Sequence, residues 1–176
     1  MVEPQFVSLD VATAADAALL SNLLELYTYD LSDVFPNVVL GPDGRFGYSK
    51  LPLYWSEPER RFAFVIRSSG RVAGFALATR GSPVTEDTEV FDVAEFFVLR
   101  RFRRAGVGRL AALLLWDRLP GKWTVRVVEQ NASGRAFWQA TIVEAAGAKV
   151  TETTRPGLTQ TWCVYSFECG APDQVA

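Results

Sequence analysis

Histidine is missing from all 176 residues. Its absence removes every histidine-based triad, every imidazole metal site and the commonest general base at neutral pH. Cysteine is nearly as scarce: Cys163 and Cys169 are the only two. A pair of thiols makes neither a disulfide framework nor a zinc set, so they read as reduced thiols packed in or near a last strand, and no metal site is expected. No apolar run approaches the length of a membrane span, and no basic segment precedes an apolar one at the N-terminus. The expectation is a cytoplasmic protein without a membrane partner. Charge of one sign is lacking too. The net charge is −2 and the sequence pI about 5.3, so no global field draws the chain to nucleic acid.

What is present suits one domain over residues 1–176 with a sizeable core: 49% hydrophobic and 22% charged residues. Phe6 to Leu9 reads as a short first strand. Thr13 and Asp16 form a capping pair, and Leu19, Leu20, Leu23, Leu24 and Tyr27 follow at helical spacing. Residues 34–60 carry Pro36, Pro42, Gly44, Gly47, Pro52 and Pro58 and read as a long loop with one short helical turn. Residues 62–66 and 72–77 flank Ser69-Gly70 as a hairpin. A strand over 90–99 leads into a helix that Pro120-Gly121 ends, and 123–128 is another strand. A helix from Asn131 to about Ile142 precedes two closing strands, 148–154 and 160–168, around Pro156-Gly157. This order predicts a mixed α/β (α+β) sheet with helices on both faces.

The most informative stretch joins the strand ending Phe96-Phe97-Val98-Leu99 to the helix beginning near Val107. Between them lie Arg100, Arg101, Phe102, Arg103, Arg104, Ala105 and Gly106, with Gly108 and Arg109 just beyond. A strand that feeds a helix through a glycine turn presents free backbone N–H groups at the positive end of the helix dipole, where phosphate binds. Glycine lets the main chain approach the anion. Arg103, Arg104 and Arg109 add positive charge. The turn lacks the third glycine of a dinucleotide fingerprint and the Gly-Lys-Ser/Thr of a P-loop.

Arg103-x-x-Gly106-x-Gly108 after a Phe-Val-Leu strand resembles the pyrophosphate loop of the GNAT superfamily of N-acetyltransferases. The likeness runs over nearly the whole chain. Val125 to Trp138 resembles the strand and helix that line the pantetheine arm. Leu26 to Asp30, Gly44 to Tyr48 and Tyr54-Trp55 resemble a bacterial branch of predicted acetyltransferases, which names no substrate. The resemblance implies the acyl-CoA N-acyltransferase fold, a mostly antiparallel sheet of about seven strands. It implies acetyl-CoA as co-substrate, and it leaves room for a homodimer.

By that resemblance the N–H groups of Arg104, Ala105, Gly106, Val107, Gly108 and Arg109 hold the coenzyme diphosphate. Phe97, Val98 and Leu99 pair their main chain with the pantetheine amides, at a bulge that parts the strand from its neighbour. Val98 N–H polarises the thioester carbonyl. Asn131 bonds the pantetheine arm or caps its helix, and Ser133, Phe137 and Trp138 complete the coenzyme-contacting set. Glu95, on an apolar strand where burial raises its pKa, is the first candidate base or amine ligand, with Asp92 second. Many members carry a tyrosine seven residues after the asparagine. Trp138 stands there instead and cannot serve as an acid, which makes Tyr165 one candidate replacement and a core tyrosine its alternative. Tyr27, Asp30, Tyr48, Tyr54 and Glu95 form the expected acceptor set, since carboxylates beside aromatic rings suit a cationic amine. The implied activity is acetyl transfer to a primary amine of a small molecule or peptide. The alternative is a non-catalytic acyl-CoA-binding sensor or assembly module.

Overall fold

The computed structural model describes residues 6–147 and 149–170. Seven strands form one sheet: β1 (Val7–Val11), β2 (Arg61–Ser68), β3 (Arg71–Arg80), β4 (Phe91–Val98), β5 (Gly121–Val128), β6 (Thr151–Pro156) and β7 (Thr161–Cys169). The spatial order is β1-β2-β3-β4-β5-β7-β6. Among the described residues only the β4–β5 pair is parallel. The hairpin at Ser69-Gly70 and the closing strands around Pro156-Gly157 form as expected. The long loop holds its one helical turn, α2 (Leu53–Ser56).

Four helices cover the sheet, the others being α1 (Ala17–Leu31), α3 (Val107–Arg118) and α4 (Ala132–Ala146). Leu20, Leu23 and Leu24 of α1 meet Val65, Phe75, Leu77 and Phe97 on one face. Val107, Ala111 and Leu115 of α3, with Trp138 and Ile142 of α4, meet the other face. Glu25 ties the long loop to α1. Its carboxylate accepts the N–H groups of Phe46 (2.7 Å) and Gly47 (3.0 Å) and Arg45 Nε (3.2 Å). Those backbone bonds, chiefly Phe46's, hold its pKa below the ordinary value. Cys163 and Cys169 are free and buried on β7.

Two irregularities shape the centre. In β4 the register to β3 slips between Val93 and Glu95. A bulge of one residue reverses which face the later side chains take, so Glu95 shares the face of Asp92, three positions earlier. The second is the parting of β4 and β5, which pair only at Phe91–Trp123 and Asp92–Thr124. Beyond that row β4 turns toward α3 while β5 stays with β7, and an edge of β4 is left open.

Candidate active site

β4 runs into a 3₁₀ turn, Arg100–Phe102, before α3 begins. Arg104 and Gly106 both take left-handed φ, 60° and 81°. Among the described residues no acceptor is bonded to the N–H groups of residues 104–109. A Cβ added to Gly106 would meet nothing within 4 Å. The turn is therefore an open cradle of free amides at the positive end of α3, which fits a diphosphate. Only the main chain of Val107 faces it, because its side chain is fully buried.

The arginines divide. Arg103 donates to Val98 O (2.7 Å) and ion-pairs with Asp30, which Arg100 also reaches (2.7 Å). Arg109 pairs with Glu144 of α4. Arg104 alone of the expected three has no carboxylate partner among the described residues. Asp30 is a correction. Burial works against its charge, but Arg103 and Arg100 hold its carboxyl below the ordinary value. Both its oxygens serve to tie the end of α1 to this turn, so it is not in the acceptor set.

The open edge of β4 is narrower than the Phe97–Leu99 expectation. Leu99 N–H donates to Ala73 O (2.8 Å), and Val98 O already accepts Arg103. By strand alternation Val98 N–H then points to the side β5 has left. Phe97 O lies against Gly74, where an added Cβ would sit 1.9 Å from it. In α4, Asn131 Oδ1 accepts Gly134 N–H (2.9 Å) and Ser133 Oγ (3.2 Å), the arrangement of a helix cap. Phe137 stacks on Phe96 and would lie 3.3 Å from a Cβ at Gly108, so that glycine also serves the α3–α4 approach.

Two further expectations are corrected. Trp138 is 9% exposed and walled in by Phe96, Phe137 and Trp116, so it is a core residue with little surface to offer a coenzyme. Tyr165 is 1% exposed in the same layer, with Arg135 beside its hydroxyl. Glu95 faces the other layer. The sheet itself separates the two, because odd and even positions of a strand point to opposite faces.

Around Glu95 the structure assembles Tyr27, Tyr48 and Tyr54. Tyr27 donates to one carboxylate oxygen (2.7 Å) and Tyr48 to the other (3.0 Å). Burial pushes the Glu95 pKa up, against the pull of both phenols and of Arg126. Burial likewise raises all three tyrosines, Tyr54 to about 12. They are phenol donors at neutral pH. The Tyr54 hydroxyl is buried and makes no hydrogen bond of good geometry. Tyr48, Tyr54 and Glu95 line a cavity of about 430 Å³ together with Lys50, Asp92 and Arg126.

Sequence reasoning named Asp92 only as a second candidate base and missed its pairing with Arg126 beneath that cavity. Asp92 is 1% exposed and accepts Arg126 Nη2 (2.7 Å) and Nε (3.1 Å), with Thr124 Oγ1 at 2.7 Å. This occupancy leaves Asp92 no role as a base. Arg126 comes from β5, so the pair spans the point where β4 and β5 separate. Burial works against its charge, yet Asp92 holds its pKa above the ordinary value. The available signal was a charge set among apolar residues in each of two strands, Asp92 in β4 and Arg126 in β5. Among the described residues no group of histidine, cysteine, aspartate or glutamate is placed to hold a metal ion, and no helix is long and apolar enough to cross a membrane.

A family model described as the acetyltransferase (GNAT) family matches residues 25–141. The chain belongs to that family and is an enzyme of the acyltransferase class. Solved structures agree on the fold. Salmonella typhimurium yncA, solved with its cofactor acetyl-CoA, superposes with a TM-score of 0.65 at 15% identity, over 96% of this chain and 98% of the other. An acetyltransferase from Thermus thermophilus gives 0.62 at 18%, over 92% and 96%. A ribosomal-protein-alanine N-acetyltransferase from Brucella melitensis gives 0.63 at 15%, over 92% and 99%. No curated protein matches the chain by sequence.

Proposed function

We propose that this enzyme transfers the acetyl group of acetyl-CoA to a primary amine of a small molecule or peptide, with Glu95 receiving the amine's proton. The observation that carries the reading is Glu95 itself. It is a carboxylate with a raised pKa, fixed by two phenols, in a cavity at the parting of β4 and β5. An acceptor enters as an ammonium ion and gives one proton to Glu95. Its nitrogen attacks the thioester carbon while Val98 N–H steadies the developing oxyanion. The carbon–sulfur bond then breaks. With Trp138 and Tyr165 both in the core, the departing sulfur takes the second nitrogen-bound proton, and the products are the N-acetyl amine and free coenzyme A. The amides of residues 104–109 bind the coenzyme's diphosphate. The family's use of acetyl-CoA and the free state of those amides support this assignment.

The test is thiol release from acetyl-CoA over a panel of primary amines. Release no faster than hydrolysis across peptides and small amines alike would overturn the reading. Two variants probe its parts. Gly106→Glu places a carboxylate in the diphosphate cradle and should weaken acetyl-CoA binding on the order of 100-fold by like-charge repulsion. Holding a non-glycine residue at positive φ should cost only about 1–2 kcal/mol of stability. Unchanged affinity by isothermal titration would remove the cradle assignment. Tyr48→Phe deletes one donor to the Glu95 carboxylate. The Glu95 pKa should rise further, and the acidic limb of the kcat/KM profile should move to higher pH. A limb that stays in place would show that Glu95 is not the group titrating.

A further inference from the structure

Beside the Glu95 cavity lies a second one, of about 470 Å³, which the reaction above does not use. Thr85, Thr124, Thr153 and Ser166 line it with hydroxyls, Arg155 with a cation and Glu86 with its one carboxylate. Thr85 and Glu86 wall both cavities. Thr124 of the second donates to Asp92 of the first. The two are neighbouring compartments on one face of the sheet.

The sheet register places the far compartment. Arg126 lies opposite Val164, and Val164 opposite Thr153; Trp162 lies opposite Arg155. Residues directly opposite share a face, so Thr153 and Arg155 of the edge strand β6 share the face of Arg126. Glu152 alternates to the other face, where it meets Arg135 at 3.7 Å. β6 thus offers Arg155 no carboxylate, and among the described residues Arg155 has no ion-pair partner. Helices α1 and α2 pack on β3 and β2, away from this end, and α4 packs on β5 and β7 from the opposite side. The inner compartment carries charges of both signs, Lys50, Arg80 and Arg126 as well as Glu57, Asp92 and Glu95; in the outer one Arg155 is the one cation among the lining residues.

The geometry points to a distal acceptor subsite, in which the second cavity holds the remainder of an elongated polar acceptor and Arg155 binds an anionic group on it. Three inter-strand steps of about 4.8 Å, from β4 to β6, put that group at least about 14 Å from the reacting amine, since β4 and β5 part beyond Asp92. Four residues of extended peptide cover the same distance at about 3.4 Å each. The inference rests on the acyl-transfer reading above. An acidic peptide side chain and the phosphate of a small-molecule amine share the required chemistry.

Acetylation by acetyl-CoA is measured on hexapeptide amides with Glu or Gln at the fifth position, and on 8-aminooctyl phosphate against 8-amino-1-octanol. In the unaltered enzyme kcat/KM should favour the anionic member of a pair on the order of 10-fold. A preference confined to the peptides assigns a peptide acceptor, and one confined to the phosphate assigns a small molecule. Arg155→Ala should erase the preference, Arg155→Lys should keep part of it, and Arg71→Ala, on the far hairpin, should keep all of it. KM for acetyl-CoA should not move. Equal rates within both pairs, or a preference that survives Arg155→Ala, would overturn the subsite. Fluorescence anisotropy of the same peptides, labelled at the C-terminus, separates the two claims. Binding that depends on charge and on Arg155 without any turnover would overturn acyl transfer and uphold the subsite. Binding indifferent to charge would overturn the subsite.

Discussion

Glu95→Gln is expected to lower kcat/KM for the acceptor by about 10²–10⁴-fold, the range of a positioned general base, while the Tm does not fall. Both halves come from the same burial. The Glu95 carboxyl sits above its ordinary pKa of 4.5, chiefly because it is buried. The folded state therefore holds its proton more tightly than the unfolded chain does. Below the unfolded pKa both states are protonated and the site costs nothing. As pH rises through the folded pKa the cost of burying the charge comes fully into force. Glutamine keeps the shape and can still bond Tyr27 and Tyr48, so at neutral pH that cost disappears. The gap in Tm between variant and parent should close toward pH 4. The acidic limb of the parent's kcat/KM profile should lie above the usual carboxylate range and be absent from the variant. Thiol-release kinetics and thermal melts across pH measure both. A variant that turns over at the parental rate would remove Glu95 as the base.

Arg126→Met should be the most damaging single change to the fold among the site residues. It leaves Asp92, 1% exposed, as a buried carboxylate held only by hydroxyls. Removing one partner of a buried ion pair costs about 3–5 kcal/mol. At about 2–4 °C per kcal/mol for a chain of this size, the Tm should fall by roughly 6–20 °C. Adding Asp92→Asn should restore much of the loss, because no uncompensated charge then remains. The double variant should nonetheless be a poorer enzyme than its Tm suggests. The pair bridges β4 and β5 at the row where they part and lies beside Glu95, so losing it frees the geometry of the cleft. A fall in Tm of only a degree or two in Arg126→Met would show that Asp92 is not a charge in need of its partner.

The fold was legible because each element announced itself locally. Helical spacing at Leu19 to Tyr27, the turn at Ser69-Gly70, the stop at Pro120-Gly121 and the glycine turn after Leu99 depend on neighbours a few positions away, and each has its counterpart in the structure. Glu95 stood out for an equally local reason, as a carboxylate among the apolar residues of its strand. Asp30 looked alike and proved otherwise. Whether a carboxylate is available depends on which cations the fold brings to it, and Arg100 and Arg103 lie seventy and more positions away in the chain. Trp138 was misjudged for the same kind of reason, and of the two readings of Tyr165 the structure bears out the core tyrosine. Nothing in the local sequence of a helix such as α4 or a strand such as β7 says which face is the coenzyme's and which is the core's.

By itself the chain determined its family, the order of its elements and the turn that presents free amides, all set by residue type and short spacing. The tertiary structure alone decided which polar groups meet. A one-residue bulge in β4 put Glu95 on the face of Asp92. The separation of β4 from β5 opened an edge at Val98, and the packing of α1 and its loop carried Tyr27 and Tyr48 onto one carboxylate. Those outcomes depend on sheet register and on contacts between distant segments, and a pleated strand reverses the side of every later residue when a single position is inserted.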